Sequence, residues 1–242
     1  MKVCVVYSPK LKDDLLIGPC LKISGFERAI REYKVEILSP SDSFEEFMIY
    51  HERRLVEKVK KLPFSEAVFE SAKCVVKASE AIEECDLVIL ATAGTGHQAE
   101  RDKFRGYSFL NDVAVLRELL ERKGYRVAII DTDAHHSALG GNYYCICLER
   151  GCVCYKDRTE FVRAFKVVCQ SVEDFDAVIW YLGLDIFEGE YMGDGIGVED
   201  LREMIRSFLT INSKKIVILA GGSKEEVAEE VTREILESSL ID

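Results

Sequence analysis

The stretch Arg126-Val-Ala-Ile-Ile-Asp-Thr-Asp-Ala-His-His136 is an apolar run that ends in two carboxylates and two imidazoles. Residues two apart on a strand point to the same face, so Asp131, Asp133 and His135 are expected to project together from its carboxyl end. His136 faces the other way and is read as a packing or hydrogen-bonding residue. Carboxylate oxygen and imidazole nitrogen suit zinc or another first-row divalent ion, and a hydrolytic centre needs one more protein ligand and an open position. Asp185 can supply that ligand. It ends a second apolar run, Ala177-Val-Ile-Trp-Tyr-Leu-Gly-Leu-Asp185, which breaks into a Gly-rich acidic stretch from Ile186 to Gly195. If both runs lie in one parallel sheet, their carboxyl ends share the edge at which open α/β sheets bind ligands. The alternative is a polar strand edge that binds no metal.

Positioning those groups requires a sheet and the helices that cover it. Strands are expected at 2–7, 34–38, 87–92, 126–131, 177–182 and 215–220. Helical patterns run from Glu66 to Glu84, Val113 to Lys123, Arg158 to Cys169, Val198 to Leu209 and Lys224 to Ser238. Such alternation implies an α/β fold of three layers, α/β/α, with a mostly parallel central sheet. At 242 residues and 48% hydrophobic content, with no Pro- or Gly-rich linker, the chain reads as a single domain over residues 1–242.

The chain begins with a strand, which leaves no room for a signal sequence, and no apolar run reaches membrane-spanning length. A soluble, cytoplasmic protein is expected. A net charge of −11 argues against a nucleic-acid-binding surface. Nine cysteines in such a chain are expected to be reduced unless the source is a thermophile. Four of them, Cys145, Cys147, Cys152 and Cys154, lie in an alternating pattern from Tyr144 to Tyr155 that reads as a hairpin with the thiols on one face. Cys-x-Cys pairs fit a structural zinc site less well than Cys-x-x-Cys, so packing is the favoured reading and a second metal the alternative.

The run Asp131-Thr-Asp-Ala-His-His136, followed by Gly183-Leu-Asp-Ile-Phe-Glu-Gly189, resembles the histone deacetylase and acetylpolyamine amidohydrolase superfamily in residue types and order. The segment from Gly96-His97 to Asn111-Asp112 is similar to that family's Gly-x-His-His run leading to Asn-Asp, and Val5 to Pro9 and Tyr50 to Val59 are similar to its amino-terminal part. The resemblance implies an arginase/deacetylase-like fold, with Asp133, His135 and Asp185 as zinc ligands. It implies that His97 is a catalytic histidine backed by Asp131, and that Asp131 helps bind a monovalent cation. Gly106 and Tyr107 match a segment that lines the acyl-chain channel, the alternative for Tyr107 being a core aromatic.

Three departures accompany the matches. The family's second tandem histidine falls on Gln98, and the aspartate that would orient it falls on Ala138, with Ser137 in place of a glycine. The tyrosine expected after the last Gly-rich loop is missing from Leu219-Ala-Gly-Gly-Ser-Lys-Glu-Glu226. There Ser223 and Glu226 form a capping-box pattern, and Lys224 reads as a first-turn surface residue. His51 reads as a surface or helix-start histidine.

The reading is a compact zinc-dependent amide hydrolase that removes an acyl group from a small amine or lysine-like substrate, with His97 as base and then acid. The alternative is a metal-binding protein of the same fold that has lost hydrolysis and recognises a modified ligand. Neither reading involves nucleic acid or membrane.

Overall fold

The computed structural model describes every residue except 15, 138, 147–156, 191–194 and 241–242. Among the described residues, seven strands form one sheet: β1 (Val3–Val6), β2 (Glu36–Leu38), β3 (Leu87–Ala91), β4 (Val127–Asp131), β5 (Tyr143–Cys145), β6 (Ala177–Gly183) and β7 (Lys214–Ala220). Their spatial order is β2-β1-β3-β7-β6-β4-β5, and every neighbouring pair is parallel. The inner strands β1, β3, β4 and β6 are buried at every position, which is why they read as unbroken apolar runs.

The helices are α1 (Lys22–Ile30), α2 (Arg53–Val59), α3 (Ser65–Ala81), α4 (Asp112–Arg122), α5 (Arg158–Ser171), α6 (Val198–Leu209) and α7 (Glu225–Leu240). All six expected strands and all five expected helices are present, with ends moved by a few residues. The sequence reading did not include α1. None of the described helices is long and apolar enough to cross a membrane.

Two expectations are corrected, one on the cysteines and one on His51, and a further strand is placed. Tyr144 and Cys145 belong to an edge strand that pairs parallel to β4, with Ile129 opposite Tyr143 and Asp131 opposite Cys145. The rest of the hairpin reading, with Cys147, Cys152 and Cys154, lies outside the described residues. Cys4 and Cys85 form a disulfide at a Cα separation of 6.0 Å, because the chain entering β3 runs beside β1. His51 is 3% exposed, covered by the ring of Tyr50 and stacked on Phe47.

One close contact fixes how the two ends of the chain meet. At Gly25 in α1, an added Cβ would lie 1.9 Å from the carbonyl oxygen of Glu225 at the start of α7. Arg28, one turn on, reaches Glu225 and Glu229 of α7 at 2.7 Å each. Replacing Gly25 by Ala gains up to about 1 kcal/mol of helix propensity, whereas forcing packed backbones apart costs about 1–3 kcal/mol. We expect Gly25→Ala to be net destabilising in urea denaturation; a more stable variant would show that the two helices are not held at this distance.

Candidate functional site

Strands β4 and β6 are neighbours, with Asp131 opposite Tyr181, so the residues just past their carboxyl ends fall side by side. Two backbone N–H groups just after β4 help fix the turns: Asp133 N donates to Asp131 Oδ1 at 2.9 Å, and Ala134 N to Asp185 Oδ1 at 3.3 Å. Asp133, His135 and Asp185 converge there, one ligand atom from each lying within 4.8 Å of the others. His135 Nδ1 stands 2.9 Å from Asp133 Oδ1 and 3.1 Å from Asp185 Oδ2.

Two glycines make this convergence possible. A Cβ on Gly183 would come within 2.6 Å of Asp133 Oδ2 and 2.7 Å of Asp185 Oδ1. Gly221, just past β7, has φ of +51°, and its Cβ would lie 2.9 Å from Asp133 Oδ2. Behind it, the buried Lys22 ammonium donates to the Gly221 carbonyl at 2.7 Å. Burial pulls Lys22 down to about 8, while Asp112, Cys20, Asp185 and Asp133 oppose that fall.

Both carboxylates are almost wholly removed from water, Asp133 being 3% and Asp185 5% exposed. Burial pushes the Asp133 carboxyl up, but His97 and His135 outweigh it and hold it below the usual range. Burial and the Asp133 charge push Asp185 up. The two carboxylates hold the His135 imidazole up at about 10. Two buried acids converging on one imidazole, in a cradle that a single added carbon would fill, fit a divalent ion of the zinc type. Its charge would relieve the repulsion between the acids and oppose protonation of the histidines.

Beside this cluster, His97 Nδ1 lies 2.5 Å from Asp131 Oδ2, and His97 Nε2 lies 3.4 Å from Asp133 Oδ1. Burial lowers the His97 pKa, but Asp131 and Asp133 reverse that and raise it well above the ordinary value. The imidazole stacks on Tyr181, whose hydroxyl accepts from His97 N at 3.2 Å. The Tyr143 hydroxyl donates to Asp131 Oδ2. Neither tyrosine was singled out in the sequence; the position of Tyr181 in β6, across from Asp131, was the available signal, and Tyr143 could be placed only once β5 was seen to pair with β4.

These groups open on a cavity of about 430 Å³ whose wall includes His97, Gln98, Asp133, His135, Asp185, Glu190, Gly222 and Ser223. Gly106 and Tyr107 line it as well, and Tyr107 is 59% exposed, which places it at the mouth and excludes the core-aromatic alternative. His136 is exposed, its Nδ1 3.7 Å from Cys145 Sγ. Lys224 is exposed, as expected, but the start of α7 is organised by a residue the sequence reading passed over: Glu190 Oε1 accepts from Ser223 N at 2.8 Å and from Lys224 N at 2.6 Å.

The His97 loop is anchored from below. Asn111 caps α4 through Ala114 N and donates from Nδ2 to the carbonyls of His97 and Ala99, at 3.0 and 2.8 Å. Its own N–H donates to His51 Nε2 at 2.8 Å.

The histone deacetylase domain family model matches residues 34–142. The crystal structure of the HDA15 HD domain superposes with a TM-score of 0.81 at 16% identity, over 99% of this chain and 89% of that one. No curated protein matches in sequence. The matched segment is similar to that family's domain, and the superposition shows that the chain shares its fold. A deacetylase-type fold is therefore the frame in which the site is to be understood.

Two outcomes are expected. The purified or reconstituted protein should hold about one divalent ion per chain by elemental analysis, and Asp185→Ala should lose it; full stoichiometry in that variant would remove Asp185 from the ligand set. Burial drives His51 from an ordinary 6.5 to about 4, so protons favour the unfolded chain. Its contribution is complete above 6.5 and declines as pH falls toward 4, by about 3 kcal/mol in all. In His51→Gln, the loss of stability across that window should be smaller than in the wild type, and parallel curves would show that His51 does not titrate on unfolding.

Proposed function

We propose that the protein is a metal-dependent amide hydrolase of deacetylase type, acting on an acylated small amine or a lysine-like acyl chain, with zinc as the metal. The observation that carries this reading is that the Asp133, His135 and Asp185 cluster shares one cavity wall with His97, which Asp131 backs from behind. A divalent ion held by Asp133, His135 and Asp185 would supply Lewis acidity toward the acyl carbonyl and toward water.

The remaining steps belong to the chain. Asp131 holds the proton of the His97 ring on Nδ1, which leaves Nε2, on the cavity side, to take a proton from the attacking water. The same nitrogen then returns a proton to the departing amine. Gln98 lines the cavity beside it and does not exchange protons near neutral pH, so His97 serves in both directions. At the last Gly-rich loop the cavity wall carries Ser223, a weaker and shorter donor toward the acyl oxygen than a tyrosine. Slow turnover follows from these two features.

Gln98 and Ser223 also favour a second reading, a metal-bearing module that recognises a modified ligand without cleaving it. Activity against acetylated lysine peptides, acetylated diamines and other simple amides separates the two. Under the hydrolase reading, turnover is slow with metal bound and drops about a hundred-fold or more in His97→Ala while metal content is unchanged, the usual scale for a lost general base. Gln98→His together with Ala138→Asp raises the rate, and either alone does less, because an unoriented imidazole is a poor base. A rate indifferent to His97→Ala would exclude His97 as the base. No turnover on any amide with metal in place would establish the recognition module instead.

A further inference from the structure

Asp131 is fully buried, and its oxygens are already engaged by the protein. Oδ2 receives His97 Nδ1 and the Tyr143 hydroxyl, and Oδ1 receives Asp133 N at 2.9 Å. The main-chain carbonyl of Asp131 receives Ile146 N at 2.8 Å, the bond that continues the β4–β5 ladder. A carboxylate has about four lone-pair sites, and three donors occupy this one. A sodium or potassium ion is held by several oxygens that replace its hydration shell, and Asp131 has only one unoccupied site left on Oδ1 and one on its main-chain carbonyl, Oδ2 being filled.

We propose that the Tyr143 phenol takes the place of a monovalent cation at Asp131, so that the His97–Asp131 pair is set up without sodium or potassium. The proposal deepens the hydrolase reading of this site and rests on it only for the part His97 plays in turnover. Its physical basis is the fold of β5. Tyr143 pairs with Ile129, two residues before Asp131, and a strand side chain leaning along its strand direction brings the hydroxyl up to the carboxylate. Burial and the Asp131 charge hold the phenol well above its ordinary pKa, so it stays a hydrogen-bond donor. A neutral donor supplies the hydrogen bond that a buried carboxylate requires, and it comes with the chain instead of from solution. Tyr143 is thus a positioning residue, acting through Asp131 on His97.

The test compares potassium chloride, sodium chloride and choline chloride at equal ionic strength, with two readouts: zinc affinity by chelator competition and the thermal midpoint. A bound cation next to the zinc ligands would be coupled to zinc, and such couplings are typically about fivefold or more. The wild type is expected to show zinc affinities that agree within about fivefold in the three salts, and a common thermal midpoint. Tyr143→Phe keeps the ring and removes the donor, which opens Oδ2; its zinc affinity should differ by about fivefold or more between potassium and choline, and its midpoint should be higher in potassium. A wild type that responds to potassium to that extent overturns the proposal. So does a Tyr143→Phe protein that responds to none of the salts. Neither readout uses turnover, and the thermal comparison needs no zinc. A failed hydrolase reading therefore leaves the test intact, and a failed test leaves the hydrolase reading standing.

Discussion

The structure is organised around the close approach of two buried carboxylates, Asp133 and Asp185, at the carboxyl ends of adjacent parallel strands. Like charges removed from water repel strongly, and the arrangement holds only if positive charge is brought to it. His135 sits between them, His97 lies 3.4 Å from Asp133, and Lys22 adds a buried ammonium behind the Gly221 carbonyl. The apposition also dictates backbone. Gly183 and Gly221 are the points at which any side chain would collide with the carboxylates, so the ends of β6 and β7 are committed to glycine by the site and not by turn formation alone. A divalent cation is the simplest group that settles this charge balance, and its removal would leave the histidines to carry it.

That requirement reaches far along the chain. Lys22 belongs to α1, which crosses α7 so closely at Gly25 that the backbone of Glu225 fills the place of a side chain. The start of α7 is in turn tied to the loop after β6 through Glu190, which accepts from the two backbone amides that lead into the helix, Ser223 N and Lys224 N. The amino-terminal helix, the carboxyl-terminal helix and the loop beyond Asp185 thus share one fixed position around the Asp133, His135 and Asp185 cluster. The His97 loop has its own anchor in Asn111, which ties it to α4 and to the neutral, buried His51.

How much of this could be read beforehand follows from the range of each signal. The sheet was legible because parallel strands buried on both faces leave unbroken apolar runs, and the metal cluster because a two-residue strand period and a strand end are local patterns. Asp131, Asp133, His135 and Asp185 met as expected for that reason. Tyr143, Glu190 and Lys22 were not legible, since each acts through a contact set by topology: β5 lying beside β4, the loop after β6 meeting α7, and α1 crossing the Gly221 loop. His51 failed differently. A histidine between a short helical turn and α2 carries no periodic mark of burial, and its partner is the backbone amide of a residue 60 positions away. The Cys4–Cys85 bond, 81 residues apart, has the same character, because only the strand order brings its ends together.

The two halves of the site differ in what a bare scaffold would keep. Gln98 and Ser223 are ordinary polar residues at a cavity wall, and their presence costs the fold little. The His97–Asp131 pair is not of that kind. An aspartate with no exposure and an imidazole at 3% exposure are expensive to bury, and such a pair is seldom worth more to stability than apolar side chains of the same volume. Here the pair is further supported by a stacked tyrosine, a donating phenol and an asparagine that holds the histidine's own carbonyl. An arrangement that spends folding free energy to fix one imidazole at a cavity wall, beside three convergent side chains able to hold a metal, is what the proposed hydrolysis would need for proton transfer and what ligand recognition alone would not.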